Sequence, residues 1–176
     1  MSLVGFKARN HPQQTRLRRG NPVADDRRTP LELWAQWNVK YGPFTMDVAA
    51  SPQNMLCDLY YTIESDGLHC MWYGRVWCNP PYSEVGKWVT KAWRELERCE
   101  VICMLVPANR CEQKWWQTMI EPYRDRGGVL SVQFLPGRLR FGLPITDPRG
   151  DRPPFGCALL VWARTERRQG GRDGGD

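Results

Sequence analysis

The chain has 176 residues, 41% of them hydrophobic and 25% charged, with nine Trp. That is enough for one α/β core with an aromatic interior, and it is not the composition of a disordered or fibrous chain. No run of about 18 apolar residues occurs, and Met1 to Asn10 lack the apolar stretch of a secretory signal, so membrane insertion is excluded and a cytoplasmic protein is expected. The net charge of +6 favours a polyanionic partner without naming one.

Residues 1–28 carry Lys7, Arg9, Arg16, Arg18, Arg19, Arg27 and Arg28 against Asp25 and Asp26, with little apolar periodicity. They read as a flexible basic arm, either solvated or laid along phosphates. Thr29-Pro30-Leu31-Glu32 has the form of a helix start, with Thr as cap, Pro first in the helix and Glu three residues past the cap. Leu31, Trp34 and Ala35 mark one face, with Leu33 and Trp37 beside it, and the pattern stops at Tyr41-Gly42-Pro43. Phe44 to Ala50 reads as a short buried strand with Asp47 near its carboxyl end. From Ser51 to Gly74 a loop-like stretch is expected, broken by Tyr60-Tyr61-Thr62 and by Asp66-Gly67. Arg75 to Cys78 is an apolar strand that runs directly into Asn79-Pro80-Pro81-Tyr82, where consecutive prolines end it.

Ser83 is placed to cap a helix whose Val85, Trp88, Val89, Ala92, Trp93 and Leu96 recur at helical spacing, the best periodic match in the chain. Val101 to Val106 is continuously apolar, as in a strand buried on both faces, and ends at Pro107. A helix around Glu112 to Ile120 carries Trp115-Trp116, only one of which can be central to the core, because adjacent helical positions diverge by about 100°. Strands are expected at Val129 to Phe134, Arg138 to Phe141 and Cys157 to Trp162, the last two separated by a loop rich in Pro and Gly. Residues 165–176 read as a disordered tail, which leaves 29–164 as the folded domain. The seven Cys form no C-x-x-C pair, and Cys78, Cys99, Cys103 and Cys157 lie in or beside apolar runs; they read as small hydrophobes, and no metal site is expected.

Strands alternating with helices imply a mostly parallel sheet, whose ligands sit at the carboxyl ends of the strands. Asp47, Asn79 and Pro107 all fall at such ends. Asn79-Pro80-Pro81-Tyr82 suits an acceptor that is a conjugated amino nitrogen. Such a nitrogen is a poor nucleophile because its lone pair is delocalised. If the Asn79 side-chain oxygen and the Pro80 carbonyl each accept one amino hydrogen, the nitrogen is drawn toward tetrahedral geometry and its lone pair is released. Tyr82 offers a flat face on which a base can stack. An activated methyl donor of the sulfonium type needs a carboxylate for its amino group, which Asp47 fits. It needs another for its ribose, for which Asp66, Glu64 and Asp58 are the candidates.

Thr29-Pro30, Asp47-Val48-Ala49-Ala50-Ser51 with Asn54 and Cys57, Asp66-Gly67-Leu68, Asn79-Pro80-Pro81-Tyr82, Val106-Pro107-Ala108 and Leu135-Pro136-Gly137-Arg138-Leu139-Arg140-Phe141 follow one another in an order that resembles the small phage-type DNA N6-adenine methyltransferases of the Dam type. The likeness runs from about Thr29 to Trp162. It implies a single Rossmann-like methyltransferase domain, mostly parallel with a late antiparallel strand, with S-adenosylmethionine as donor. It further implies DNA adenine as acceptor, flipped out of the duplex before transfer. Under this resemblance Asn79, Pro80, Pro81 and Tyr82 inherit the catalytic role, and Thr29, Pro30, Asp47, Ala49, Ala50 and Asp66 border the cofactor. Arg138, Arg140 and Phe141 go to the DNA side, joined by Arg18 and Arg19 of the arm. A monomer in the cytoplasm of a bacterial host is expected.

The chain departs from the wider methyltransferase pattern in having Asp47-Val48-Ala49-Ala50 where a Gly-x-Gly loop is usual, and it has no sizeable target-recognition domain. Two other functions stay open at this point. One is methylation of an RNA amino group or a protein glutamine. The other is an inactive nucleic-acid-binding phage protein, against which the intact Asn79 and Tyr82 speak.

Overall fold

The computed structural model describes residues 28–142 and 153–164. Helix α1 (Leu31–Tyr41) is followed by β1 (Met46–Asp47), β2 (Leu59–Tyr60), β3 (Gly74–Cys78) and helix α2 (Val85–Glu95). Then come β4 (Cys99–Pro107), a 3-10 turn at Ala108–Arg110, helix α3 (Lys114–Met119), β5 (Leu130–Phe134) and β6 (Cys157–Ala163). The strands form one sheet in the order β2-β1-β3-β4-β6-β5. Neighbours among β2, β1, β3 and β4 are parallel, and β6 is antiparallel to both β4 and β5. The Rossmann-like sheet expected from the sequence, mostly parallel with a late antiparallel strand, is therefore present.

Helices cover both faces. Trp37 of α1 stacks on Trp77 with ring centroids 5.4 Å apart, whereas Trp93 of α2 meets Trp162 edge-on at 6.0 Å. Register places Trp162 beside Ile102 and Ile102 beside Val76, one residue from Trp77 and so on the opposite face. Val85, Trp88, Val89 and Ala92 of α2 are buried at the helical spacing read from the sequence. Trp116 is fully buried and Trp115 half-buried, as the divergence of adjacent positions requires.

Four local expectations are corrected. Helix α1 starts one residue later than its capping pattern suggests: Pro30 is the cap residue, and its carbonyl accepts the N–H groups of Leu33 and Trp34 at 3.1 and 3.0 Å. Thr29 makes no cap because Arg28 pairs with Gly142 through reciprocal bonds of 2.9 and 3.0 Å, which holds the chain extended up to Pro30. The inward face of α1 is then Leu33, Trp34 and Trp37, and Leu31 is 54% exposed. Helix α2 likewise starts after Glu84, since a Pro81–Glu84 turn, closed at 3.1 Å, absorbs Ser83. β2 is a strand where a loop was expected; two residues at a sheet edge, with Leu59 exposed, leave no periodic signature. Arg138 to Phe141 is not a strand. The β5 ladder closes with Leu135 donating to Cys157 at 3.0 Å, and Gly137, at φ +67°, turns the chain away from the edge.

At the amino edge, Glu95 is buried and accepts from Lys91 at 2.7 Å, Arg98 at 3.1 Å and the Trp72 N–H at 3.4 Å. Arg75 pairs with Glu100 at 3.0 Å and donates to the carbonyls of Tyr41 and Gly42. Among the described residues no helix is long and apolar enough to cross a membrane. Residues 1–27 of the basic arm, the tail and most of the loop before β6 lie outside the described residues.

Candidate active site

The parallel strands end at one edge because register holds them level. Asp47 faces Trp77, Cys78 faces Met104, and the Val48 N–H reaches the Trp77 carbonyl at 3.0 Å. The ends of β1, β3 and β4 thus deliver Asp47, Asn79 to Tyr82, and Pro107 to Arg110 side by side. β6 begins at the same edge, with Cys157 opposite Pro107, and β5 ends there, with Phe134 opposite Ala158.

Asp47 is buried, and its two carboxylate oxygens accept the backbone N–H groups of Ala49 at 3.4 Å and Leu56 at 3.2 Å. Burial pushes its pKa from 3.8 up to about 7, against the lowering effect of those two N–H groups. No cation pairs with it among the described residues. A buried carboxylate with that balance is a mark of a functional site. Around it the backbone is tightly tied: Ala50 N–H donates to Tyr61 and Tyr61 N–H to Asp47, both at 2.9 Å. Gly67 sits on the end of β1, where a Cβ would come within 2.1 Å of the Val48 carbonyl oxygen, so no other residue fits without moving backbone.

That contact brings the Asp66-Gly67 turn to the Asp47 side of the edge, with Asp66 itself at φ +53°. Asp66 accepts from His69 at 2.6 Å and from the Leu68 N–H at 3.1 Å, and the His69 bond holds its carboxyl below the usual range. Glu64, an alternative second carboxylate, is exposed and bonded to the Thr62 hydroxyl at 2.5 Å; Asp58 is exposed. Thr29 is buried, and its hydroxyl has no partner among the described residues.

Asn79 and Pro81 are half-buried, and Pro80 and Tyr82 are buried. The Tyr82 ring meets Phe141 edge-on at 6.2 Å and Phe155 at 5.9 Å, and its hydroxyl lies 3.9 Å from the Cys157 sulfur. Phe141 is fully buried, so it backs Tyr82 from within and is not presented on the surface. Phe155 was not anticipated; no local signal links a residue beside β6 to one after β3. Arg138 and Arg140 are exposed on the segment leaving β5. Arg18 and Arg19 lie outside the described residues.

Charge divides this edge. The acids Asp47 and Asp66 stand on the β1 side, and Arg110, Arg138 and Arg140 stand on the side of β4 and β5, with Asn79 to Tyr82 between them. The buried Cys57 and Cys99 thiols are both pushed up to about 12, chiefly by burial, which keeps them protonated and unreactive at neutral pH.

The DNA N-6-adenine-methyltransferase of Escherichia phage T1 is 39% identical over 84 residues, 46% of this chain and 35% of that protein. The putative methyltransferase YfdM of Escherichia coli (strain K12) is 34% identical over 67 residues, 34% of this chain and 74% of that protein. The match therefore spans about a third of the phage T1 protein's length. Among solved structures, a putative RNA methyltransferase from Pyrococcus horikoshii superposes with a TM-score of 0.43 at 13% identity, covering 73% of this chain and 65% of that one. The 23S rRNA methyltransferase ErmE gives 0.43 at 12% identity, covering 76% and 57%. Residues 17–169 match the family described as DNA N-6-adenine-methyltransferase (Dam), and the chain belongs to that family.

Proposed function

We propose that the chain transfers a methyl group from S-adenosylmethionine to the N6 amino group of adenine in DNA, with the target base drawn out of the duplex onto Asn79-Pro80-Pro81-Tyr82. One observation carries the reading: this segment leaves the carboxyl end of β3 between a buried carboxylate on one side and arginines on the other. Membership of the family, and the description of the phage T1 relative, support DNA adenine as the acceptor.

The Asn79 side-chain oxygen and the Pro80 carbonyl accept the two amino hydrogens and leave the nitrogen lone pair exposed to the donor. Both acceptors are uncharged, so the nitrogen is oriented without being fully deprotonated first. Pro80 fixes its own backbone, and Tyr82 is braced by Phe141 and Phe155, so the base meets a rigid aromatic surface.

S-adenosylmethionine, when bound, supplies an electrophilic methyl group on a sulfonium. Two features of this chain fit such a ligand. Among the described residues the buried Asp47 carboxylate has no cation and keeps lone pairs for an ammonium, and the buried Thr29 hydroxyl has no partner. Asp66 would take the ribose hydroxyls, with Pro30, Ala49 and Ala50 bordering the group.

Purified protein incubated with labelled S-adenosylmethionine and, separately, duplex DNA, structured RNA and a release-factor-like protein tests this reading. Label on N6 of DNA adenine is expected. Label confined to RNA or protein would replace the acceptor, and label in none would replace the enzyme with a binding module.

A further inference from the structure

β4 ends at Pro107, and the following turn is fixed at three points: Ala108 N–H to the Gly156 carbonyl at 2.9 Å, Gln113 N–H to the Arg110 carbonyl at 3.1 Å, and the Gln117 amide to the Cys111 carbonyl at 2.7 Å. Since Cys78 faces Met104, this turn and Asn79 to Tyr82 leave adjacent strands at the same edge. Arg110, on this braced turn, is half-buried and makes no ion pair among the described residues. Three other arginines find carboxylates: Arg75 pairs with Glu100, Arg98 with Glu95 and Arg124 with Glu121. Of the two acids nearest in sequence to this part of the edge, Glu84 is taken by Lys87, and Glu112 is exposed and makes no ion pair among the described residues.

A partly desolvated guanidinium on a rigid turn, with no ion-pair partner among the described residues, suits an anion that offers two oxygens to its planar fork, as a phosphate does. We infer that Arg110 contacts a backbone phosphate of the strand carrying the target base and positions that strand over Asn79 to Tyr82. The inference rests on the DNA reading above, and it assigns to the β4 turn a role that no motif in the sequence marked.

The test measures duplex affinity against salt for the parent, Arg110→Gln and Arg94→Gln. Arg94 loses the same unit of charge from an exposed position near the amino end of the sheet. Arg110→Gln is expected to weaken DNA binding several-fold and to flatten the slope of log K against log salt by about 0.9, one phosphate's worth of counterion release. Arg94→Gln should leave the slope unchanged, Arg110→Lys should keep it, and cofactor binding should be the same in all. Arg110→Met, which keeps the aliphatic stem, carries the same expectation as Gln should Gln perturb the turn. An unchanged slope in Arg110→Gln or Arg110→Met, or equal flattening in Arg94→Gln, would overturn the inference while leaving the DNA reading intact. A parent that binds no duplex would defeat the DNA reading itself, and this inference with it.

Discussion

At the amino edge, where β3 and β4 begin, buried Glu95 is held by Lys91, Arg98 and the Trp72 N–H, whereas at the carboxyl edge buried Asp47 is met, among the described residues, by backbone N–H groups and no cation. Burial acts on both carboxylates in the same direction. For Glu95 burial alone would raise the pKa, yet the bonds and charges of Lys91 and Arg98 outweigh it and hold the carboxyl below its usual range. For Asp47 burial wins, and the pKa climbs to about 7. The difference is the cation. One edge has its charges compensated from within the chain and serves stability; the other, among the described residues, keeps an acid without a cation and a Thr29 hydroxyl without a partner, a cost that a ligand with an ammonium and a polar group would relieve.

The sharpest way to separate the edges is Asn79→Ala, which should lower methyl transfer on the order of 10²- to 10³-fold, the size of loss seen when one positioned transition-state contact is removed. Single-turnover kinetics with labelled donor would measure it, with the melting temperature and cofactor affinity little changed. Cofactor binding that falls as far as the rate would remove Asn79 from the acceptor side.

At the opposite edge Glu95→Ala leaves Lys91 and the Trp72 N–H without their acceptor and should cost roughly 3 kcal/mol in urea unfolding, with the turnover of the folded protein unaffected. A loss below about 0.5 kcal/mol, the range of ordinary surface changes, would break the contrast.

The smallest effect concerns pH. The folded-state pKa of Asp47, about 7, lies above the ordinary 3.8, so between those values the folded chain binds more protons than the unfolded one and stability falls as pH rises. Asp47→Asn should therefore be more stable than the parent at pH 8, by on the order of 2 kcal/mol after allowing for one backbone N–H that loses its acceptor, and the gap should close toward pH 4. Parallel melts across that range would show it. The parent's cofactor affinity should rise with pH through about 7, because only the ionised carboxylate attracts an ammonium, and the variant's should stay flat. A parent profile as flat as the variant's would take Asp47 out of contact with the cofactor's cationic end.

Some of this architecture was legible because the signal was local and repeated. Val85, Trp88, Val89 and Ala92 of the apolar stripe on α2 are buried as their spacing indicates, with Trp93 and Leu96 half-buried, and the unbroken apolar run of β4 announced a strand covered on both faces. The place of Asn79-Pro80-Pro81-Tyr82 at a strand end was readable too, since an apolar strand cannot continue through two prolines. Thr29 shows where local reading fails: its capping pattern was complete, but pairing of Arg28 with the distant Gly142 held the chain extended and took the cap away. β2 failed for the opposite reason, being too short and too exposed to leave a pattern.

By itself, then, the sequence determined the alternation of strands and helices, the burial of the central strands and the arrival of Asp47, Asn79 and Pro107 at strand ends, all of which depend on neighbours within a few residues. The tertiary structure alone decided that Asp47 would be buried with no cation paired to it among the described residues, that Phe141 and Phe155 would brace Tyr82, and that the turn carrying Arg110 would leave the strand next to the one that ends in the tetrapeptide. Each of these is set by residues far apart in the chain and brought together by the sheet's register, a long-range pairing that no local periodicity encodes.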